Sequence, residues 1–242
     1  MAKIHTMLQG KGGVGKSFGC SALAQFYSFK EQAVKCIDTD PVNATFAGYE
    51  ALNVERLELM NQAKQINARN FDSLIETIST TDCDIIIDNG STSFVPLTHY
   101  LISNQVPALI KEMGHELIIH SVVTGGQALF DTVSGLGQLA SQFPQEAEFM
   151  VWLNPFWGAI EHEGKTFEQM RAFKDNKDRI SSIIHVPNLD PDTFGKDLSQ
   201  MLQDRVTFEQ ALADPNLTIM NRQRLKLIRT QLFAQLETAG VI

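Results

Sequence analysis

The segment Gly10-Lys11-Gly12-Gly13-Val14-Gly15-Lys16-Ser17 decides how the rest of the chain is read. It satisfies the pattern G-x-x-x-x-G-K-[ST], and it lies between a short apolar run at 4–8 and a stretch with helical spacing that begins at Ser17. Glycines in these places let backbone N–H groups turn inward on an anion, and the helix that follows offers the positive end of its dipole. A lysine at position 16 reaches terminal phosphates, and a hydroxyl at position 17 ligates Mg²⁺. Residues 10–17 together with Phe18 are therefore the candidate binding residues for ATP and its Mg²⁺.

Moving outward, apolar runs recur at 34–37, 84–88, 117–123, 149–154 and 180–186. They are continuous rather than alternating, which predicts strands covered on both faces. The expected fold is α/β, a doubly wound and mostly parallel sheet with flanking helices. Helices are predicted over 17–30, with Phe18, Ala22, Phe26 and Phe29 as the apolar stripe, over 71–78 with Asn70 as its cap, and over 127–143 after Gly125-Gly126. From Thr193 onward the pattern is helical. No internal repeat or low-complexity linker divides the chain, so residues 1–242 are expected to form a single domain.

Composition limits the remaining choices. A chain of 242 residues, 43% hydrophobic, is long enough for one α/β domain with a sizeable core. Its 28 acidic against 20 basic residues give a net charge of −8, which argues against a broad electrostatic footprint on nucleic acid. Cys20, Cys36 and Cys83 are scattered through apolar segments without zinc-ligand spacing and read as reduced structural thiols. With no membrane-length apolar run and no secretory leader, the expected location is the cytoplasm. One basic stretch near the C-terminus has Leu225, Ile228, Leu232 and Leu236 at helical spacing among Arg222, Arg224, Lys226 and Arg229. It reads either as a basic amphipathic helix lying on the inner membrane or as a helix packed on the domain; the small number of charges favours packing.

A Mg²⁺-nucleotide site also needs carboxylates at neighbouring strand ends. The run 34–37 ends in Asp38-Thr39-Asp40, and the run 84–87 ends in Asp88. Ser17, Asp40 and Asp88 are thus the candidate metal set, with Asp88 behind the metal's waters and Asp40 orienting the attacking water. Asp38 either braces the loop or hydrogen-bonds Lys11. Lys11 is an extra lysine inside the glycine run, a flexible cation able to reach a phosphate of its own subunit or one across a dimer interface. Together Lys11, Lys16 and Asp40 are the candidate catalytic residues.

The run 11–17 resembles the deviant Walker A motif of the ParA/MinD family of P-loop ATPases. Asp38-Thr39-Asp40-Pro41 with Asn43-Ala44-Thr45 is similar to that family's switch I, and 85–88 to its Walker B strand. Leu153-Asn154 resembles the family's adenine-reading asparagine, and Val186-Pro187 its proline-marked loop beside the base. The resemblance implies a homodimer of ATP-bound subunits, each Lys11 reaching the other subunit's phosphates, with slow hydrolysis stimulated by a partner. One departure stands out: after Asp88 the family often has a proline-containing turn, whereas here the sequence is Asn89-Gly90-Ser91-Thr92-Ser93.

A longer resemblance, through Gln9-Gly10, Asp88-Asn89-Gly90, Thr124-Gly125-Gly126-Gln127 and Trp152-Leu153-Asn154-Pro155, is to ParA-like proteins encoded in the transfer regions of conjugative plasmids. It implies a switch that recruits or positions transfer components. Two alternatives stay open: a partitioning ATPase that coats nonspecific DNA, and a small-molecule P-loop kinase or ligase using 161–165 as its acceptor stretch. Glu161-His162-Glu163 reads as a solvated loop, because adjacent side chains point apart. Trp157 lines either the nucleotide pocket or a partner surface, and His115 and His120 read as structural.

Overall fold

Strand-length apolar runs with no polar face become the middle of one seven-stranded parallel sheet, of order β3-β2-β4-β1-β5-β6-β9. In this computed structural model residues 1–61 and 63–242 are described. The strands are β1 (Lys3–Met7), β2 (Val34–Asp38), β3 (Glu55–Arg56), β4 (Asp84–Asp88), β5 (Glu116–Thr124), β6 (Ala147–Asn154) and β9 (Ile180–His185). A separate antiparallel hairpin, β7 (Glu161–His162) with β8 (Lys165–Thr166), interrupts the crossover from β6 to β9.

Successive side chains go to opposite faces of the sheet. In β4, Ile85 and Ile87 enter one core and Ile86 the other. In β6, Phe149, Val151 and Leu153 oppose Met150 and Trp152 in the same way. The face that carries Ile86, Met150 and Trp152 is covered by α1 (Lys16–Phe29), α7 (Phe194–Gln203), α8 (Phe208–Ala213) and α9 (Ile219–Ala239). The opposite face is covered by α2 (Asp72–Thr80), α3 (Phe94–Ser103), α4 (Val106–Glu112), α5 (Leu129–Gln142) and the short α6 (Arg171–Lys174). The doubly wound parallel architecture is thus as the sequence predicts.

Several local expectations are corrected. Asn70 does not cap α2: the preceding 3₁₀ turn is capped by Asn67, whose side chain accepts from the Arg69 N–H, and α2 starts at Asp72. The helix after β5 starts at Leu129 because Gly126–Ala128 form a 3₁₀ turn first. Phe29 leaves the α1 stripe and is exposed, with Phe233 against one edge and the Arg229 guanidinium 5.6 Å over its ring. Cys83 is half-buried, while Cys20 and Cys36 are in the core.

The C-terminal segment packs. Helix α9 buries Leu225, Ile228, Leu232, Phe233 and Leu236, and Arg224 is held by the Asp197 carboxylate at 2.5 Å in a largely covered pair. Its basic residues therefore do not form a free row. Among the described residues no helix is long and apolar enough to cross a membrane.

Under α1 a buried chain of hydrogen bonds joins the sheet to the helices. The Trp152 indole donates to His120 Nδ1 at 2.9 Å. Indole nitrogen can only donate, so neutral His120 carries its proton on Nε2 and gives it to His5 Nδ1, 2.9 Å away. His5 then donates from Nε2 to the Tyr27 hydroxyl at 3.0 Å, and Tyr27 donates to Asp84 at 2.6 Å. Every proton has one direction. Burial, reinforced by Lys3, pushes the His5 pKa down to about 3, and burial with the neighbouring His5 lowers that of His120.

Both histidines fold neutral but take protons when unfolded. Their contribution to stability is complete above the unfolded value near 6.5 and is lost as pH falls from there toward about 3. Replacing His120 with Gln should therefore flatten the pH dependence of the unfolding free energy between pH 6.5 and 5, by up to about 1.4 kcal/mol per pH unit relative to wild type. Urea titrations at stepped pH measure this. An unchanged slope would contradict a neutral, buried pair.

Candidate nucleotide site

Strand β1 lies where the order of the sheet reverses, with β4 and β2 on one side and β5 and β6 on the other. Ligands of open α/β sheets bind at the carboxyl ends of the strands at such a point. The segment 10–15 leaves β1 there and runs into α1. Gly13 at φ 72° and Gly15 at φ 106° take left-handed conformations that side chains rarely adopt. A Cβ on Gly15 would also sit 2.8 Å from the Asn154 amide nitrogen, so this glycine is required for space as well.

Three of the loop's carbonyls are satisfied by side chains. Asn154 Nδ2 donates to the Val14 carbonyl at 2.9 Å, and Trp157 Nε1 donates to that of Gly13 at 3.1 Å. Lys16 Nζ bonds the Lys11 carbonyl at 3.0 Å. Just after β1, Gln9 anchors the base of the loop through the Val122 carbonyl at 3.1 Å and the Thr132 carbonyl at 3.3 Å. Asn154, expected to read adenine, has both polar atoms engaged here, since its Oδ1 accepts from the Phe156 N–H. Pro187 follows β9 close by, where the Val186 N–H bonds the Leu153 carbonyl at 2.9 Å.

The three strand-end carboxylates have different partners. Asp38 is buried and accepts from the N–H groups of Asp40 at 2.9 Å and Ala47 at 2.8 Å, so it braces its own turn and does not reach Lys11. Its pKa is raised by burial, which those two N–H groups oppose. Asp40 is half-buried, and its Oδ1 accepts from Val42 N–H at 2.9 Å and Asn43 N–H at 3.0 Å.

Asp88 is almost fully buried, and its Oδ1 has no hydrogen-bond partner among the described residues. Burial raises its pKa to about 7, against the opposing Ser17 hydroxyl and the nearby Lys16 ammonium. Lys16 is itself buried, which lowers its pKa while Asp88 and Asp40 hold it up. A buried carboxylate oxygen without a donor, beside a Ser17 hydroxyl, fits a divalent cation with its waters. Ser17, Asp88 and Asp40 would hold the ion between them.

Lys11 lies on the exposed rim. Its ammonium forms an ion pair at 2.7 Å with Asp131, in the first turn of α5, within the same chain. No motif in the sequence singles out Asp131; only the fold brings the start of α5 to the phosphate loop. Phe156 and Trp157 are exposed and pack edge to face at 4.9 Å on the same edge of the sheet. Glu161, His162 and Glu163 fall on the exposed β7–β8 hairpin, where His162 meets Phe130 edge to face. Among the described residues no three metal-ligating side chains are grouped to hold an ion by themselves.

No family profile matches the chain. A protein of Escherichia coli, Protein TraL, is 66% identical over 242 residues, covering 100% of both chains. The chain belongs to the TraL family. A second Escherichia coli Protein TraL is 64% identical over the same full length. Among solved structures, the MinC:MinD cell division protein complex of Aquifex aeolicus is similar at a TM-score of 0.54, with 14% identity over 96% of each chain. At that identity the likeness shows a shared fold: this TraL-family chain has the P-loop architecture seen in the MinD-containing complex.

The Asn154 clamp can be tested without a ligand. Asn154→Ala leaves the Val14 carbonyl and the Phe156 N–H without their partner, and should lower the unfolding free energy by about 1–3 kcal/mol in urea denaturation. An unaltered midpoint would mean that the clamp contributes nothing to the resting loop.

Proposed function

We propose that the protein is a Mg²⁺-dependent ATPase of the ParA/MinD type, an ATP-driven dimerisation switch that recruits or positions components of a conjugative plasmid-transfer apparatus. The observation that carries this is the buried Asp88 carboxylate, whose Oδ1 has no donor among the described residues, beside Ser17 and Lys16 at the start of α1. One ammonium facing buried carboxylates at the foot of an anion-binding loop is a charge arrangement that Mg²⁺ and a phosphate chain complete. Membership in the TraL family supports the role in transfer, and the cytoplasm is the compartment where ATP and plasmid meet.

In this reading the N–H groups of 12–17 and the Lys16 ammonium bind the phosphates, and Ser17 and Asp88 hold the cation and its waters. Bound Mg²⁺ supplies charge neutralisation at the terminal phosphates. Asp40 accepts a hydrogen bond from the attacking water through the carboxylate oxygen not used in its turn. Lys11 supplies the contact between subunits. Its pair with Asp131 is solvent-exposed on both sides, and such pairs are worth about 0–1 kcal/mol, so the lysine is parked rather than locked. A phosphate of a second copy can draw it away.

The test is molar mass in solution with Mg²⁺-ATP, Mg²⁺-ADP and no nucleotide. ATP should produce a dimer in wild type, Lys11→Ala and Lys16→Ala should lose it, and Asp40→Ala should keep it while losing phosphate release. If ATP binds and the mass ignores it, the dimer switch is wrong, and an enzyme transferring phosphate to a small acceptor takes its place.

Asp88 provides a second check. Mg²⁺ must displace the proton that a carboxyl with a pKa of about 7 still carries below neutrality. Apparent Mg²⁺ affinity in the presence of ATP should fall by up to about tenfold per pH unit below pH 7, and Asp88→Asn should abolish that dependence. Calorimetric titration across pH reads both.

A further inference from the structure

The ends of β2 and β4 are joined more tightly than two neighbouring strands require. Thr39 uses both its N–H, at 2.9 Å, and its hydroxyl, at 2.7 Å, on the carbonyl of Asp88. The hydroxyl of Ser93 reaches Asn89 Oδ1 at 2.6 Å and the Thr39 carbonyl at 3.3 Å. Thr39, Asn89 and Ser93 are all buried. The turn 89–93 is thereby fixed to the turn 38–40 by side chains as well as by the ladder.

Gly90 lies at the centre of this seam. A Cβ built on it would come 2.6 Å from each carboxylate oxygen of Asp40, well inside any real contact distance. Asp40 cannot easily retreat, because its Oδ1 is held by the N–H groups of Val42 and Asn43. The backbone at Gly90 does not require glycine, since its φ is not in the left-handed region. Position 90 is small for space alone, and what occupies the space is Asp40.

We propose that Gly90 is a positioning residue for hydrolysis, the seat on which the Asp40 carboxylate rests, and that the Asn89-Gly90 turn thereby sets the register between the Asp40 turn and the end of β4. This rests on the reading in which Asp40 orients the attacking water. In that step a water oxygen bonds the γ-phosphorus while the bond to the β,γ-bridging oxygen breaks, its electron pair leaving with ADP. The water's proton goes to solvent as Asp40 holds its hydrogen bond. Alanine at 90 lifts the carboxylate out of its turn without touching the loop that binds the phosphates.

The experiment measures ATP affinity, by the emission of Trp157 beside the loop or by calorimetry, and steady-state phosphate release. Gly90→Ala should keep wild-type affinity and lose turnover by roughly a hundredfold, the loss expected when a reacting group is misplaced by about 1 Å. Adding it to Asp40→Ala should slow that variant no further, because the residue through which it acts is gone. Asp40→Glu, whose longer side chain cannot lie on the seat and keep both backbone contacts, should behave like Gly90→Ala. The exposed neighbour variant Thr92→Ala should turn over as wild type does.

Wild-type turnover by Gly90→Ala or by Asp40→Glu overturns the seat. So does an equal further loss when Gly90→Ala is placed on Asp40→Ala, or a loss of ATP affinity, which would put the effect on the phosphate loop. A wild-type protein that binds ATP and never releases phosphate defeats the hydrolytic reading and the seat with it.

Discussion

An anion-binding loop must turn its N–H groups toward the ligand and keep its carbonyl dipoles away from it, and the carbonyls still have to be satisfied. Much of this structure follows from that demand. The carbonyls of Lys11, Gly13 and Val14 are taken by Lys16 on α1, Trp157 just beyond β6 and Asn154 at its last position. Gln9 fixes the start of the loop to β5 and α5. The loop is thus shaped by the chain's own side chains, and its glycines matter because Asn154 presses against one of them. Shaping of this kind lowers the ordering cost of binding.

The second constraint is electrostatic. Asp40 and Asp88 lie near one buried ammonium, that of Lys16, with Asp38 close to Asp88, and their environments set the three apart. Two backbone N–H groups offset part of the burial of Asp38, whereas Asp88 faces its burial with a Ser17 hydroxyl and a neighbouring lysine. Of the three, Asp88 has the larger unmet demand for positive charge, and Asp40 keeps an oxygen outside its turn. Similar side chains a few residues apart in two strand ends thus take different tasks because of which N–H groups reach them. Lys11, by contrast, stays at the solvent edge, where its ion pair is weak enough to exchange.

The sequence reveals the phosphate loop, the strand-end carboxylates and the doubly wound sheet because each rests on local rules: glycine spacing, runs of apolar residues covered on both faces, and acids where such runs stop. It does not reveal Asp131, whose meeting with Lys11 depends on where α5 begins in space. The same holds for the Trp157 and Asn154 clamps, which join residues about 140 positions apart. Capping at 67 instead of 70 was hidden because either asparagine has the right chemistry and only the path of the 3₁₀ turn decides between them. Phe29 fits the helical period of the core, but it falls at the end of α1, where the core has already closed. Gly90 reads in sequence as a turn residue; only its neighbour in space shows that its missing side chain is what matters.

The body of the sheet and its carboxyl edge are built for opposite purposes. Through the body of the sheet and α1, His5, His120, Trp152, Tyr27 and Asp84 form a hydrogen-bond chain in which every tautomer follows from the one before, so a slip of one strand against another would break several bonds at once. Toward the carboxyl ends, the contacts of Lys11, Asp40 and Trp157 are single, solvent-accessible or held in short turns. Such contacts can change without unfolding anything, provided the strands beneath them do not move. A fixed frame is what gives a methyl group at position 90 its leverage: with β2 and β4 pinned, the Asp40 carboxylate is the part left to yield.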